Sequence, residues 1–390
     1  FIFISPYVNT KTNFIIRKKY RQPNIKFDFK EKDLDLSYSA SLRKQLFSNL
    51  KFEPLNPFEN FLKRKIIEIL PLSYLEGYHE IVKANIKNRN KINPKVLLLY
   101  SDELLSNKNL KFSEWLSYNR SKGSKLFCIQ SGGSYFTPAV YSPDPFVRKI
   151  CDVFFHFGRE DVNDKTTGVG FERIFHHKKE KPNPEGNIIL ALYPGFAYSY
   201  FQCTTKPMQD DWNDYIEDKI NFLNYLPNKI KEKVLVRLKK RHHEADPDRD
   251  YFNFEERLRQ KFPNIRFDDY KKTLNDLIPE TRFIVVTHNA TTLLETLAKN
   301  VPTLMLMDFD KYILSEEASN LYLKLLNAGI LHYRAKSASQ KLIQIWNNSE
   351  EWWNSQQVQN ARHEFCDKFA YLPKNYENFF LEKISNKLNS

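Results

Sequence analysis

Glycine is scarce in this chain, with 10 residues among 390. A glycine pair in such a chain marks a backbone need and not background composition. Cysteine is scarcer still. The four, at positions 128, 151, 203 and 366, include no two at zinc C-x-x-C spacing, which excludes a zinc module of that kind. Three of them lie in apolar stretches and read as buried free thiols, which fits a reducing, cytoplasmic setting. No apolar run approaches the roughly 18 residues that a membrane helix needs. The opening Phe1-Ile2-Phe3-Ile4 has neither a basic n-region nor an Ala-x-Ala site, so no signal peptide is expected. The first residue is not Met, and the expectation is a fragment that starts inside a domain. Gly-x-Ser-x-Gly elbows, Walker loops and H-E-x-x-H pairs are absent, which removes those hydrolase, P-loop and zincin chemistries. Gly168-x-Gly170 lacks a third glycine and a flanking strand, and reads as noise.

What is present is globular. Hydrophobic residues make up 41% and charged residues 27%, the balance of a soluble chain. The length is enough for two or three domains with real cores. The net charge is +13. It points either to an anionic partner (nucleotide, nucleic acid or acidic membrane face) or to compositional drift. The lysines are spread along the chain and not gathered into one block, which weakens the nucleic-acid reading.

Apolar spacing orders the chain. The first forty residues read as irregular. Helical spacing runs from Leu42 to Leu70, interrupted near Pro54 and Pro57, then from Tyr74 to Asn88. Buried strands are expected at Lys95–Tyr100, Lys125–Gln130 and Asp152–Phe157, with a helix at Ser113–Ser121 between the first two. The polar stretch 161–186 reads as an interdomain linker. Strands at Asn187–Tyr193, Val234–Leu238, Ile265–Phe267, Phe283–Val286 and Thr303–Met307 then alternate with helices at Asp211–Leu226, Phe254–Phe262, Thr273–Ile278, Thr292–Lys299 and Ser315–Asn327. Such alternation implies right-handed crossovers and a mostly parallel sheet. Ser349–Phe369 reads as one long amphipathic helix.

The segment Val286-Thr287-His288-Asn289-Ala290-Thr291-Thr292-Leu293-Leu294-Glu295 turns from strand to helix through small, hydroxyl-rich residues. Helix N-termini carry unpaired N–H groups and a positive dipole end, so this turn is a candidate phosphate site. The competing reading is local: Thr292-x-x-Glu295 is a capping box, complete without a ligand. Glu295 divides between that role and a bond to a ribose hydroxyl. Gln130-Ser131-Gly132-Gly133-Ser134 follows a strand, and its glycines allow either close backbone approach to a ligand or a plain tight turn. Arg237 ends a strand, where a diphosphate would suit it. Lys239, Lys240, Arg241, His242 and His243 behind it read as a solvated basic loop. Neither His242-His243 nor His176-His177 has partners at ligand spacing, so no metal is expected. Glu76 and His79, three apart, would share a helical face. Either is a candidate general base, and a surface salt-bridge pair is the alternative.

These residues together resemble the transferases of O-antigen and surface-polysaccharide clusters, of the GT-B kind. More distantly they resemble Kdo-type capsule transferases and CDP-glycerol glycerophosphotransferases. The resemblance runs from about Pro71 to Tyr371. It rests on Tyr74-Leu-Glu-Gly-Tyr78, Gly123 to Gly133, Val236-Arg-Leu238, Asn289 to Ala298 with Pro302-Thr303, and Trp352-Trp353. It implies an α/β fold of two Rossmann-like domains with parallel sheets facing a cleft. The implied divisions are an acceptor-side domain over 1–180, open to truncation at its start, and a donor-binding domain over 187–348. A helical segment over 349–390 would cross back to the first domain. Thr287, Asn289, Thr291, Thr292 and Glu295 would meet the donor's phosphates and ribose, with Gln130, Gly132 and Gly133 opposite. Two positions depart from the family pattern. Ser131 stands where His is usual, which bears on catalysis, and His288 stands where an aromatic is usual. Family members also carry a longer N-terminal portion.

The expected activity is transfer of a sugar, or a related unit, from a nucleotide-activated donor to a glycan or lipid-linked acceptor. The expected place is the cytoplasm, or peripherally the inner face of the membrane. No metal or other cofactor is required, because helix-terminus electrostatics can hold the diphosphate. Two other readings stand beside it: a non-catalytic nucleotide or glycan binder, motivated by Ser131, and a nucleic-acid binder, motivated by charge.

Overall fold

The structure is a computed structural model. It describes all residues except 1, 6–7, 23–24, 26, 30–36, 49–55, 106–108, 134, 140–142, 176, 178–179, 193–210, 239–252 and 390. Expectations about Ser134, His176, Cys203, Lys239, Lys240, Arg241, His242 and His243 therefore lie outside the described residues. The chain divides into two compact units, Phe1–Ile129 and Gln130–Ser390, and both are α/β with parallel strands.

Unit 1 runs β1 (Ile2–Ile4), α1 (Thr10–Lys19), α2 (Ala40–Ser48), α3 (Pro57–Ile69), α4 (Tyr78–Arg89), β2 (Val96–Tyr100), α5 (Ser101–Leu105), α6 (Leu110–Ser121) and β3 (Lys125–Ile129). The strands pair in parallel, with Phe3 opposite Leu97 and Leu97 opposite Leu126. Every residue of β2 is buried, as expected of a parallel strand covered on both faces. The first forty residues are not irregular: they supply β1 and α1. Three residues are too few to show periodicity, and β1 is fixed by tertiary packing instead. Phe3 packs 4.5 Å from the ring of Trp115, whose indole N–H donates to the Asn88 carbonyl at 3.1 Å. The break near Pro54 and Pro57 resolves into two helices. Asn56 and Glu59 form a capping box at α3 and Pro57 opens it, a start signal legible in the residues themselves.

Unit 2 runs α7 (Pro143–Ile150), β4 (Val153–His156), β5 (Thr166–Gly168), β6 (Asn187–Leu192), α8 (Trp212–Tyr225), α9 (Asn228–Lys231), β7 (Val234–Leu238), α10 (Phe254–Lys261), β8 (Arg266–Phe267) and α11 (Leu274–Leu277). It continues through β9 (Thr281–Val286), α12 (Thr291–Ala298), β10 (Thr303–Leu306), α13 (Glu316–Asn327), β11 (Leu331–His332), α14 (Ala335–Gln344), α15 (Ser349–Trp353), α16 (Gln356–Phe369) and α17 (Tyr376–Asn389). Its larger sheet is ordered β11-β10-β9-β6-β7-β8. Taken in chain order, this is the 3-2-1-4-5-6 arrangement of a doubly wound nucleotide-type sheet, whose order reverses between β6 and β9. Alternate residues serve two cores. Ile189, Ile284, Val286 and Met305 face one with α12, α13 and α16. Leu190, Val285, Leu304 and Leu306 face the other with α8 and α14.

Two expectations fail in unit 2. The stretch 161–186 is no simple linker: it contributes β5, paired with β4, and the buried Val169, Phe171 and Ile174. Its polar composition hid these few anchors. The single helix expected over Ser349–Phe369 is two, α15 and α16, broken at Asn354-Ser355. Beyond them, Tyr371 links back by backbone bonds, donating to the Phe157 carbonyl at 2.9 Å and accepting from the Phe171 N–H at 2.7 Å.

Candidate functional site

Ligands of doubly wound sheets sit outside the carboxyl ends of the strands, where the order reverses. Here that point lies between β6 and β9, whose last paired residues are Ala191 and Val286. Thr287, the next residue, bridges the two strands. Its hydroxyl donates to the Ala191 carbonyl at 2.9 Å and meets the Tyr215 hydroxyl of α8 at 2.5 Å. Asn289 is fully buried. Its amide donates to the Thr137 hydroxyl at 3.1 Å, and its oxygen accepts from Tyr322 at 2.5 Å. Both residues were expected to donate to a phosphate. Their side chains are instead committed inside the protein, so their role is to fix the turn.

The capping box is not formed. The N-cap of α12 is Ala290, which has no polar side chain, and Thr292 is the second helical residue. The chain reaches Ala290 in extended conformation, so the N-cap lies two residues earlier than the Thr-x-x-Glu pattern implies. The first-turn N–H groups of a helix have no full-turn intrahelical acceptors; Leu293 donates to the Ala290 carbonyl at 3.1 Å, and the Ala290 side chain caps none of the others. The helix end therefore keeps the positive potential of its dipole.

The glycine pair lies against that end. The Gly133 N–H donates to the Thr291 hydroxyl at 3.1 Å. A Cβ on Gly133 would stand 2.5 Å from the Thr291 nitrogen, whereas one on Gly132 would meet nothing nearer than 3.9 Å. Close backbone approach was the expected reason for glycine, and what approaches Gly133 is the helix terminus. Gln130 shapes the turn: its amide donates to the Gly132 carbonyl at 2.6 Å and its oxygen accepts from the Phe157 N–H at 3.0 Å. Ser131 is buried, and its carbonyl accepts from Arg173.

Charge converges on the outer side of this helix end. Burial pushes the Glu295 carboxyl up, opposed by Lys299, Arg173 and Arg237. Arg237 pairs with the buried carboxylate of Asp268 and donates to the Lys272 carbonyl at 3.2 Å, so it reaches the site through its field. Lys299 contacts Nδ1 of His177 and the Asn275 side chain, each at 2.9 Å. A cavity of 390 Å³ lies beyond β10, lined in part by Tyr215, Asp218, Lys219, Asp308, Lys311 and Arg334. Sequence reading missed Arg173 because it sits in the supposed linker. It missed Tyr215 and Tyr322 because they occupy ordinary amphipathic positions.

Glu76 and His79 do not share a helical face. Glu76 lies in the turn before α4, and His79 is an exposed residue of its first turn. The Glu76 carboxylate accepts from Arg43 at 2.7 and 2.8 Å and from the Ser39 N–H at 3.0 Å. The hydrogen bonds from Arg43 hold its pKa down to about 2. So weakly basic a carboxylate, with its lone pairs engaged, anchors the turn and is a poor proton acceptor.

The chain belongs to the LIC12162 family of transferases, whose model matches residues 1–384. No curated protein matches it. Among solved structures, it is similar to HepE (Alr3699) of Anabaena in complex with UDP-glucose. That match is 10% identical with a TM-score of 0.47, over 86% of this chain and 90% of that one. The wall teichoic acid polymerase TagF is 10% identical with a TM-score of 0.44, over 85% and 98%. The α,α-trehalose 6-phosphate synthase of Burkholderia multivorans is 11% identical with a TM-score of 0.42, over 80% and 74%.

Proposed function

We propose that this transferase is a glycosyltransferase of the GT-B type. It moves a sugar, or a related polyol-phosphate unit, from a nucleotide-activated donor to a surface-glycan or lipid-linked acceptor at the inner face of the cell membrane. The observation that carries the proposal is the N-terminus of α12, whose N-cap Ala290 supplies no side-chain cap, at the point where the strand order reverses. The N–H groups of Thr291 and Thr292, with the Thr292 hydroxyl, receive the donor's diphosphate. Glu295 meets the ribose, as an acidic residue does in dinucleotide-binding folds. Arg173 and Arg237 supply positive potential behind it. Thr287, Asn289 and Gln130 hold the backbone in place. No metal is needed for charge neutralisation on this reading.

Ser131 favours a second reading, a non-catalytic nucleotide binder, because the resembled transferases carry His there. One experiment addresses both. The chain is melted with CMP, CDP, UDP, GDP and ADP, and any stabilising nucleotide is then supplied as its sugar conjugate and assayed for hydrolysis or transfer. A ligand of the folded form raises the melting temperature, by about 2.7 kcal/mol of stability at a hundredfold excess over Kd. A shift with turnover supports the transferase. A shift without turnover selects the binder, and no shift sinks both.

A further inference from the structure

We propose that α3 is a docking element for an anionic lipid surface. Amphipathic helices of folded proteins turn their apolar stripe inward, and α3 does the reverse. Its half-buried positions are Lys63 and Ile67, with Leu70 just beyond. Its apolar stripe is Phe58, Phe61, Leu62, Ile66 and Ile69, which are 65, 49, 46, 45 and 73% exposed. At 100° per residue these five fall within one arc of about 140°. Lys65 lies inside that arc and pairs with Glu68 at 2.8 Å. Glu59 is held in the capping box. Tyr74 and Tyr78, in the segment that follows, are 68 and 53% exposed, and tyrosine favours a boundary where one end is apolar and the other wet.

Charge selects the occupant. The lysines are spread along the chain, but the surplus is not. Residues 1–129 hold 24 Lys and Arg against 12 Asp and Glu, and residues 130–390 hold 36 against 35. Unit 1 therefore carries +12 of the net +13. A second copy would bring the same positive field to the contact and be repelled. Nucleic acid would match the charge and find stacking partners in Phe58, Phe61, Tyr74 and Tyr78, but Leu62, Ile66 and Ile69, which make up the rest of the stripe, offer its bases neither stacking nor hydrogen bonds. A bilayer with acidic headgroups accepts both features: the stripe enters the acyl boundary while the surplus positive charge of unit 1 stays with the headgroups.

The inference uses unit 1 alone and stands apart from the donor site, so nucleotide binding can fail or succeed without deciding it. The test is co-sedimentation of the full chain with phosphatidylcholine vesicles, and with vesicles of roughly three parts phosphatidylcholine to one part phosphatidylglycerol. The expected result is binding to the anionic vesicles only, weakened by salt. A Phe58→Ser, Phe61→Ser, Ile66→Ser variant should keep the parent melting temperature and lose about tenfold or more in vesicle partitioning. Three results would overturn the proposal. One is no vesicle binding, or binding that the triple variant retains in full. Another is a dimer that the same variant dissolves, with no lipid affinity. The third is RNA binding that displaces the vesicles and ignores the triple variant.

Discussion

The two units spend their apolar and charged residues in opposite ways. Unit 2 is almost neutral, with both faces of its larger sheet covered by separate cores and its exposed large apolar residues scattered singly. Unit 1 is half that size, holds nearly all of the net charge, and leaves an entire helical stripe of Phe, Leu and Ile in solvent. Burial in unit 2 stabilises, whereas the exposed stripe of α3 adds little to stability and has the character of a contact surface. The difference separates what the chain needs in order to fold from what it holds ready for its surroundings.

The widest break in this comparison comes from truncating one apolar side chain in each unit. Phe365→Ala empties a fully buried position of α16 and should cost about 3–5 kcal/mol in denaturant unfolding. Ile66→Ala on α3 should shift the midpoint by no more than about 0.5 kcal/mol.

Acid divides the units next. Burial holds the His156 imidazole of unit 2 down to about 4, so between pH 6.5 and 4 the unfolded chain binds the extra proton. Stability present above about pH 6.5 is lost as the pH falls towards 4, by roughly 3 kcal/mol. Burial pushes Glu103 of unit 1 the other way, up to about 7. There the folded form binds the extra proton, so stability is full below about pH 4.5 and is lost as the pH rises through 7. Hydrogen exchange followed by peptide should show protection in the two units moving in opposite directions between pH 4.5 and 7. His156→Gln and Glu103→Gln should each flatten one of the two trends.

The glycine pair sharpens the contrast between backbone need and tolerance. Gly133→Ala forces a methyl against the Thr291 nitrogen and should destabilise by about 1–3 kcal/mol, while Gly132→Ala should stay within about 0.5 kcal/mol. A single substitution at the helix end is the most diagnostic. Ala290→Asp supplies the missing cap to α12 and should stabilise the fold by about 1 kcal/mol. By filling the helix end with its own carboxylate, it should remove any nucleotide-induced shift in melting temperature.

Much of unit 2 was legible because its strands are apolar runs separated by helical spacing, and the turn after β9 was found from its small residues alone. Side-chain commitment was not legible. Thr287 and Asn289 are polar residues in a phosphate-like turn, yet their partners, Ala191, Tyr215, Thr137 and Tyr322, come from distant segments. The register of the helix start was misread because Thr292-x-x-Glu295 satisfies a local pattern that the extended backbone at Ala290 overrides. Glu76 was misjudged because Arg43, its partner, is 33 residues away. The charge asymmetry was missed for a different reason: lysine is spread evenly, and the signal was a shortage of carboxylates over residues 1–129.

The backbone bonds that tie Tyr371 to Phe157 and Phe171 join segments about 200 residues apart, so a ribosome needs roughly 10–40 s after making one to deliver the other. Until then Phe157 and Phe171 lack their cover, and unit 2 must wait as an unfinished nascent chain. A message cut short before the codon for Tyr371 would yield a product with this apolar seam open, and the cell's proteases would decide its fate.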